Sequence, residues 1–370
     1  MAEPIRILHV LGGLSIGGTE SRIMDLYRCV DREKMQFDFL IHTDKEQHFE
    51  KEIEKMGGKI YRVPRFLVYN WFGYKKKLKQ FFSNHHEFRA VHGHMTSTAS
   101  IYLPIAKKAG IPITIAHARS AGVDSGLKGW ITRLLRLSLH KKADYLLTCS
   151  KEAGYAVYGK KCMESGEVEI VPNAIDALKY RYDPALRKQK REELGVADKW
   201  VIGHVGSFRE AKNHTFLIRI FKEILQRRPD AVLLLVGDGP LKPQIEEQVK
   251  NLGMEERVLF CGRQAQVSAY YQAMDFLVFP SLYEGLPGTV VEAQVAGLNC
   301  LVSDHVTKEV GITKAVTFME LNRPAKDWAD FVVRNAEYTR ESLYEEVCKA
   351  GFDITTQIKR YQEIYKMEQK

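Results

Sequence analysis

The chain has 370 residues, 45% of them hydrophobic and 27% charged, the profile of an ordinary soluble globular protein with room for two domains of about 150 to 200 residues. Its formal net charge of +9 excludes an acidic solvating tail and most disordered classes. Three partners remain compatible with that charge: nucleic acid, an anionic membrane surface, or a phosphate-bearing substrate.

Short apolar, β-branched runs alternate with stretches of helical period. Strands are predicted at Ile5–Leu11, Phe37–His42, Lys59–Val63, Ala90–His92, Ile113–Ala116, Tyr145–Cys149 and Val168–Val171, with helices such as Glu20–Val30 and Phe49–Met56 between them. The apolar pattern lapses through the charged segment Ala177–Arg187, which contains Pro184, and a join between domains is expected near residues 173–195. The alternation then restarts. Strands are predicted at Val201–Val205, Ala231–Val236, Val258–Cys261, Phe276–Phe279 and Asn299–Ser303, with helices at Asn213–Arg228, Leu241–Leu252, Val267–Met274 and Thr289–Ala296. An amphipathic tail, Ile354 to Met367, reads as a final helix. Such alternation builds βαβ units and parallel sheets covered on both faces. The expected fold is α/β, two doubly wound Rossmann-like domains facing a central cleft. Ligands of such sheets bind beyond the carboxyl ends of the strands.

The bulk features point to the cytosol. No run reaches the ~18 apolar residues of a membrane-spanning helix, and Met1-Ala2-Glu3-Pro4 lacks the basic and apolar regions of a signal peptide. The six cysteines show no CxxC spacing. The charge is uneven: residues 1–172 hold 27 basic and 18 acidic side chains and so carry the whole excess. Between Ile60 and Lys142 there are 15 basic residues against only Glu87 and Asp124.

Three loops carry candidate chemistry. The first, Gly12-Gly13-Leu14-Ser15-Ile16-Gly17-Gly18-Thr19-Glu20, follows a strand and opens a helix, where glycines and free N–H groups admit an anion; a tight turn without a ligand is the alternative. The second runs from Phe279 to Ala293, with Glu284 expected exposed at the loop mouth and Glu292 in the first helical turn. A carboxylate accepts two hydrogen bonds, as vicinal hydroxyls require, and the N–H groups of Gly288 to Val290 are expected free for a phosphate. The third, Gly203 to His214, places Arg209 and Lys212 just before a helix, a setting for a diphosphate or simply for a solvated pair.

Together the GGTE of the first loop, the Glu-x7-Glu loop and the Gly…Lys-Asn-His loop resemble the retaining, GT-B glycosyltransferases of family 4, most closely those of bacterial exopolysaccharide and capsule assembly. The resemblance implies an acceptor- and membrane-side domain over 1–175, a nucleotide-sugar domain over 176–350, and a helix over 351–370 packing back on the first domain. It implies that Glu284 contacts the transferred sugar and Glu292 the ribose. Backbone amides over Leu286, Pro287, Gly288, Thr289 and Val290, with Lys212, would hold the diphosphate. Arg263, beside Gly262, would line the base pocket. Gly17, Gly18, Gly206, Arg209 and Gly285 complete the donor-binding set. His117, read as following the fifth strand, would face the reacting carbon, giving His117, Glu284 and Lys212 as catalytic residues. Thr19, His94 and Arg119 would lie on the acceptor side. The family carries an arginine directly after Gly206 where this chain has Ser207, so Lys212 is favoured over Arg209.

His92, His94 and His117 could suggest a metal, but an i, i+2 pair without HxxxH or cysteines is a weak ligand set. No metal and no cofactor are expected. Two basic, aromatic segments, Arg65–Phe82 and Lys128–Lys142, read as anionic-membrane contacts, the second as an amphipathic helix with Trp130, Leu134 and Leu137 on one side. The expected partners are a nucleotide-diphosphate sugar, a lipid-linked saccharide acceptor and an anionic membrane surface, not nucleic acid. The location expected is the inner face of the plasma membrane. Rival readings are a nucleotide-sugar 2-epimerase and a non-enzymatic anion or nucleic-acid binder.

Overall fold

The computed structural model describes residues 3–15, 17–120, 126–264, 266–284 and 286–366. The chain divides into two compact units, Met1–Asn173 with Ile354–Lys370, and Ala174–Asp353.

The first unit holds seven strands: β1 (Ile5–Leu11), β2 (Met35–Ile41), β3 (Ile60–Arg62), β4 (Phe88–Gly93), β5 (Ile113–Ala118), β6 (Tyr145–Thr148) and β7 (Val168–Ile170). Their order is β3-β2-β1-β4-β5-β6-β7, and every pairing is parallel. β2 and β5 are buried at every position, because helices cover both sheet faces, and so they read as apolar runs rather than alternating ones. In register, His9 of β1 stands opposite His92 of β4. The helix Ile354–Ile364 packs back on this unit: Arg360 forks onto Glu169 at 2.7 and 2.8 Å, and Gln357 Nε2 donates to the Pro172 carbonyl at 2.6 Å.

The second unit holds β8 (Trp200–Val205), β9 (Ala231–Val236), β10 (Val258–Phe260), β11 (Phe276–Phe279), β12 (Asn299–Ser303) and β13 (Val316–Met319). The order is β10-β9-β8-β11-β12-β13, again all parallel. β13, not read from the sequence, is a half-buried edge strand.

The chain passes from the first unit to the second at Asn173–Ala174, at the start of the expected join, and the charged stretch beyond it holds a helix of this unit. Asp183 caps Pro184–Glu193 by accepting from the Ala185 and Leu186 amides at 2.8 and 3.1 Å, with Pro184 at the first position, where its missing N–H costs nothing. Arg187 and Arg191 both pair with Asp275, at 2.5 and 3.0 Å, and donate to carbonyls at 272–274. Charge-assisted forks rather than an apolar stripe hold this helix, which is why hydrophobic period lapses there.

In both sheets the strand order reverses beside the first strand, between β1 and β4 and between β8 and β11. Loops leaving those two strands diverge, and the crevice they leave is where open α/β sheets take ligands.

Candidate active site

In the second unit the loops after β8 and β11 are sewn together at the reversal. The Leu282 amide donates to the Ala211 carbonyl at 2.8 Å, and Asn213 Nδ2 donates to the Pro280 carbonyl at 3.1 Å. Asn213 takes a left-handed φ of 53°, a conformation asparagine tolerates, and so turns the chain from the short helix Glu210–Lys212 into His214–Leu225. This brings Lys212 Nζ to 2.6 Å from Glu284 Oε1 and 4.5 Å from the centre of the Phe279 ring. Glu284 is therefore paired and largely buried, not exposed. Its backbone bridges Val306, and the Leu282 carbonyl is 3.0 Å from His305 Nδ1. A side chain at 206 would press on Lys212 Cε at 3.1 Å, and a β-carbon at Gly237 would overlap the Gly206 carbonyl oxygen. Close backbone approach sets both glycines.

Glu292 is in the second turn of the helix Gly288–Val295, not the first. It is buried, and Tyr271 donates its hydroxyl to Glu292 Oε2 at 2.9 Å. The phenol is held well above its ordinary pKa by burial and by that carboxylate, so it remains a donor. Pro287 caps the helix without a side-chain bond. The Val290 amide already donates to the Pro287 carbonyl at 3.1 Å, so it is not free; an anion would meet the Gly288 and Thr289 amides instead. Leu286 packs at the edge of the apolar core. Arg209 and Arg263 are exposed, and neither makes an ion pair among the described residues. Gly285 lies outside the described residues.

In the first unit, Gly17 caps the helix Gly18–Cys29, with Thr19 half-buried at its second position. A side chain at 17 would overlap the Glu20 carboxylate, whose pKa is raised by burial. His117 lies inside β5, not after it, and is fully buried. Four imidazoles cluster there. His92 bridges Tyr365 and His117: its Nδ1 is 2.7 Å from the Tyr365 hydroxyl and its Nε2 is 3.0 Å from His117 Nδ1. Arg119 Nε donates to His94 Nδ1 at 3.4 Å, so the His94 proton is on Nε2 and is donated to His9 Nδ1 at 3.0 Å. His9 Nε2 and His117 Nε2 have no partner among the described residues. Burial first, and then the Arg119 charge, pushes His9 down to about 3 and His117 well below its ordinary value. His117 is therefore a neutral imidazole. Arg119 also reaches Asn173 Oδ1 at 2.7 Å and the Tyr361 hydroxyl at 3.4 Å. The structure thus gathers these residues in one cluster: Arg119, His94 and His9 are hydrogen-bonded in series, and the His92–His117 pair packs against them through ring contacts.

Two family profiles match this sequence, Glycosyltransferase Family 4 over residues 16–177 and Glycosyl transferases group 1 over residues 199–335. EpsF of Bacillus subtilis (strain 168), named as a glycosyltransferase, is 32% identical over 369 residues, 97% of this chain and 96% of EpsF. The chain is a family 4 glycosyltransferase. An Escherichia coli enzyme named UDP-Gal:alpha-D-GlcNAc-diphosphoundecaprenol alpha-1,3-galactosyltransferase is 26% identical over 227 residues, 59% of this chain and 58% of that enzyme. HepE of Anabaena, crystallised with UDP, superposes with a TM-score of 0.77 at 17% identity, over 98% of this chain and 100% of HepE. The α/β fold is accordingly GT-B.

In this glycosyltransferase the ligating nitrogens of His9, His92 and His94 lie within 4.8 Å of one another. His9 and His94 already bond each other, His92 bonds Tyr365 and His117, and the Arg119 cation donates to His94. Sequence reasoning missed His9, Tyr271, Phe279, Tyr365 and Gly237. The Gly237-Asp238-Gly239-Pro240 run after β9 carried a usable turn signal. The tyrosines carried none, since Tyr365 and His92 are 273 residues apart.

Proposed function

We propose that this glycosyltransferase moves a sugar from a nucleotide-diphosphate sugar, with uridine as the base, to a hydroxyl of a lipid-linked or saccharide acceptor in surface-polysaccharide synthesis. Anomeric configuration is retained and no metal ion takes part. The observation that carries this reading is the Lys212–Glu284 pair at 2.6 Å beside the N-terminus of the Gly288–Val295 helix. On donor binding Lys212 exchanges its carboxylate for the diphosphate, and Glu284 is released to accept from the sugar hydroxyls. The Gly288 and Thr289 amides share the phosphate charge, and Glu292, steadied by Tyr271, takes the ribose. The leaving diphosphate oxygen accepts the acceptor proton, while Lys212 and the helix end stabilise the charge that builds on it. The names of two similar proteins agree with this substrate class: the E. coli enzyme is named for UDP-Gal and a diphosphoundecaprenol acceptor, and HepE was crystallised with UDP.

A peripheral position at the inner face of the plasma membrane belongs to the same reading. No helix among the described residues is long and apolar enough to cross a membrane. The segments read from sequence as membrane contacts do present apolar side chains outward, Phe72 at 85%, Trp130 at 58% and Leu137 at 70% exposure, with Lys75, Lys76, Lys77 and Lys79 on the helix Trp71–Asn84.

The test is a panel of UDP-, GDP- and ADP-sugars read by thermal stabilisation, followed by transfer assays on Lys212→Ala and Glu284→Ala. Each variant should lose at least about a hundredfold in transfer, EDTA should leave the wild-type rate unchanged, and NMR should show the donor's anomeric configuration in the product. Wild-type transfer by either variant refutes the site.

A further inference from the structure

The helix Gly126–Leu137 is turned against its own amphipathic pattern. Trp130, Leu134 and Leu137 face outward, while Arg136 is 8% exposed. Arg136 Nη2 donates to Thr96 Oγ1 at 3.0 Å, but its Nε and Nη1 are buried with no partner among the described residues. A guanidinium cannot neutralise itself by losing a proton, and a buried, unpaired charge is among the costliest features a fold can keep. The hydroxyl of Tyr158, which lines the same cavity, donates to the Ala116 and Leu147 carbonyls at 2.6 and 3.0 Å and is not bonded to either free nitrogen.

Arg136 lines a cavity of about 670 Å³ between this helix and Lys151–Glu164. Arg133, His140, Lys141 and Lys161 line it too, against the one carboxylate of Glu167. Leu137 and Tyr155, both exposed, also belong to its lining. Through Thr96 the guanidinium is anchored to the loop that leaves β4 at the reversal of strand order. A cationic floor with an apolar rim fits an amphiphile with a phosphate head.

We propose that this cavity binds the diphosphate of a lipid-linked acceptor, with Arg136 as its buried cation and the start of the hydrocarbon chain against Leu137 and Tyr155. Nε and Nη1, on different edges of the guanidinium and both without a partner among the described residues, are donors left for phosphate oxygens. Arg133, Lys141 and Lys161 share the remaining charge. The cost of burying Arg136 without a partner is then recovered when acceptor binds, as is usual of sites built for function rather than stability. The inference rests on the acceptor class proposed above.

The experiment uses the full chain and measures binding of a polyprenyl diphosphate in detergent micelles. The matching polyprenol, inorganic pyrophosphate and phosphatidylglycerol vesicles serve as comparisons. Wild type should bind the polyprenyl diphosphate at least about tenfold more tightly than any of the three. Arg136→Met should lose at least about tenfold in that affinity, melt no lower than wild type, and keep its stabilisation by nucleotide. A merely structural arginine would instead lower the melting temperature and leave ligand affinity alone. If Arg136→Met does not fold, the surface double variant Arg133→Gln/Lys161→Gln carries the test through the same loss. Wild-type affinity in these variants overturns the proposal. So does equal binding of the polyprenol or of phosphatidylglycerol vesicles, or pyrophosphate binding as tight as that of the lipid diphosphate. If the lipid diphosphate binds in an Arg136-dependent way but no sugar is transferred, the phosphate site stands and the transfer reading fails.

Discussion

Acid should unfold the first unit well above the pH at which carboxylates titrate. His9, His92, His94 and His117 are buried together, and desolvation, reinforced by Arg119, holds His9 at about 3 and the others well below the ordinary 6.5. The unfolded chain takes up protons near 6.5 while the folded chain does not. Below that pH the unfolded state binds more protons, and stability falls as pH falls. The loss begins near 6.5 and, for His9, ends only near 3. At pH 5 His9 alone accounts for about 2 kcal/mol, and His92, His94 and His117 add losses of the same sign. The single His9 contribution is already a sizeable part of a domain's stability of about 5 to 15 kcal/mol. In the second unit His214, held at about 4 by burial, adds a loss of the same sign. The assay is urea unfolding at pH 7.5, 6.5, 5.5 and 5.0, followed by fluorescence, with His9→Gln beside wild type. The midpoint should drop steadily below pH 6.5, and His9→Gln should drop less steeply, by about one proton's share. A midpoint level between pH 7.5 and 5.5, or identical slopes for the two proteins, refutes the reasoning.

Gly237→Ala forces a β-carbon onto the Gly206 carbonyl; a loss of about 2 to 4 kcal/mol and of nucleotide-induced thermal stabilisation is expected, and an unchanged melting curve would contradict it. Tyr271→Phe removes a buried bond to the Glu292 carboxylate, worth about 1.5 to 3 kcal/mol, and steady-state kinetics should show donor KM rising more than kcat falls. Phe72→Ser with Trp130→Ser alters exposed side chains only, so melting should shift by less than about 0.5 kcal/mol in stability. Co-sedimentation with anionic vesicles should nevertheless fall, and undiminished binding would place the membrane contact elsewhere.

The order of strands and helices was readable because it depends on local pattern. Runs such as Ala231–Val236 are apolar throughout since both sheet faces are covered, and the loops that follow β8 and β11 declare themselves through glycine and proline. The Glu284 and Glu292 positions could be picked from that spacing, as could Lys212. Their partners could not. Whether Glu284 faces water or Lys212 depends on how two loops from adjacent strands are sewn together through Asn213 and Ala211, and spacing along one loop does not contain that. The helix Pro184–Glu193 escaped notice for a related reason, because its anchor is Asp275 on the far side of the unit's sequence.

The sequence by itself determined two α/β sheets, the glycine- and proline-rich loops that follow their strands, and a basic first half. Only the tertiary structure decided which charges meet. It buried four histidines as neutral rings, paired Lys212 with Glu284, and turned Arg136 inward where an amphipathic pattern alone places an arginine in water. Periodicity reports the face a residue occupies on its own helix or strand, whereas burial and pairing are set by what the fold brings against that face.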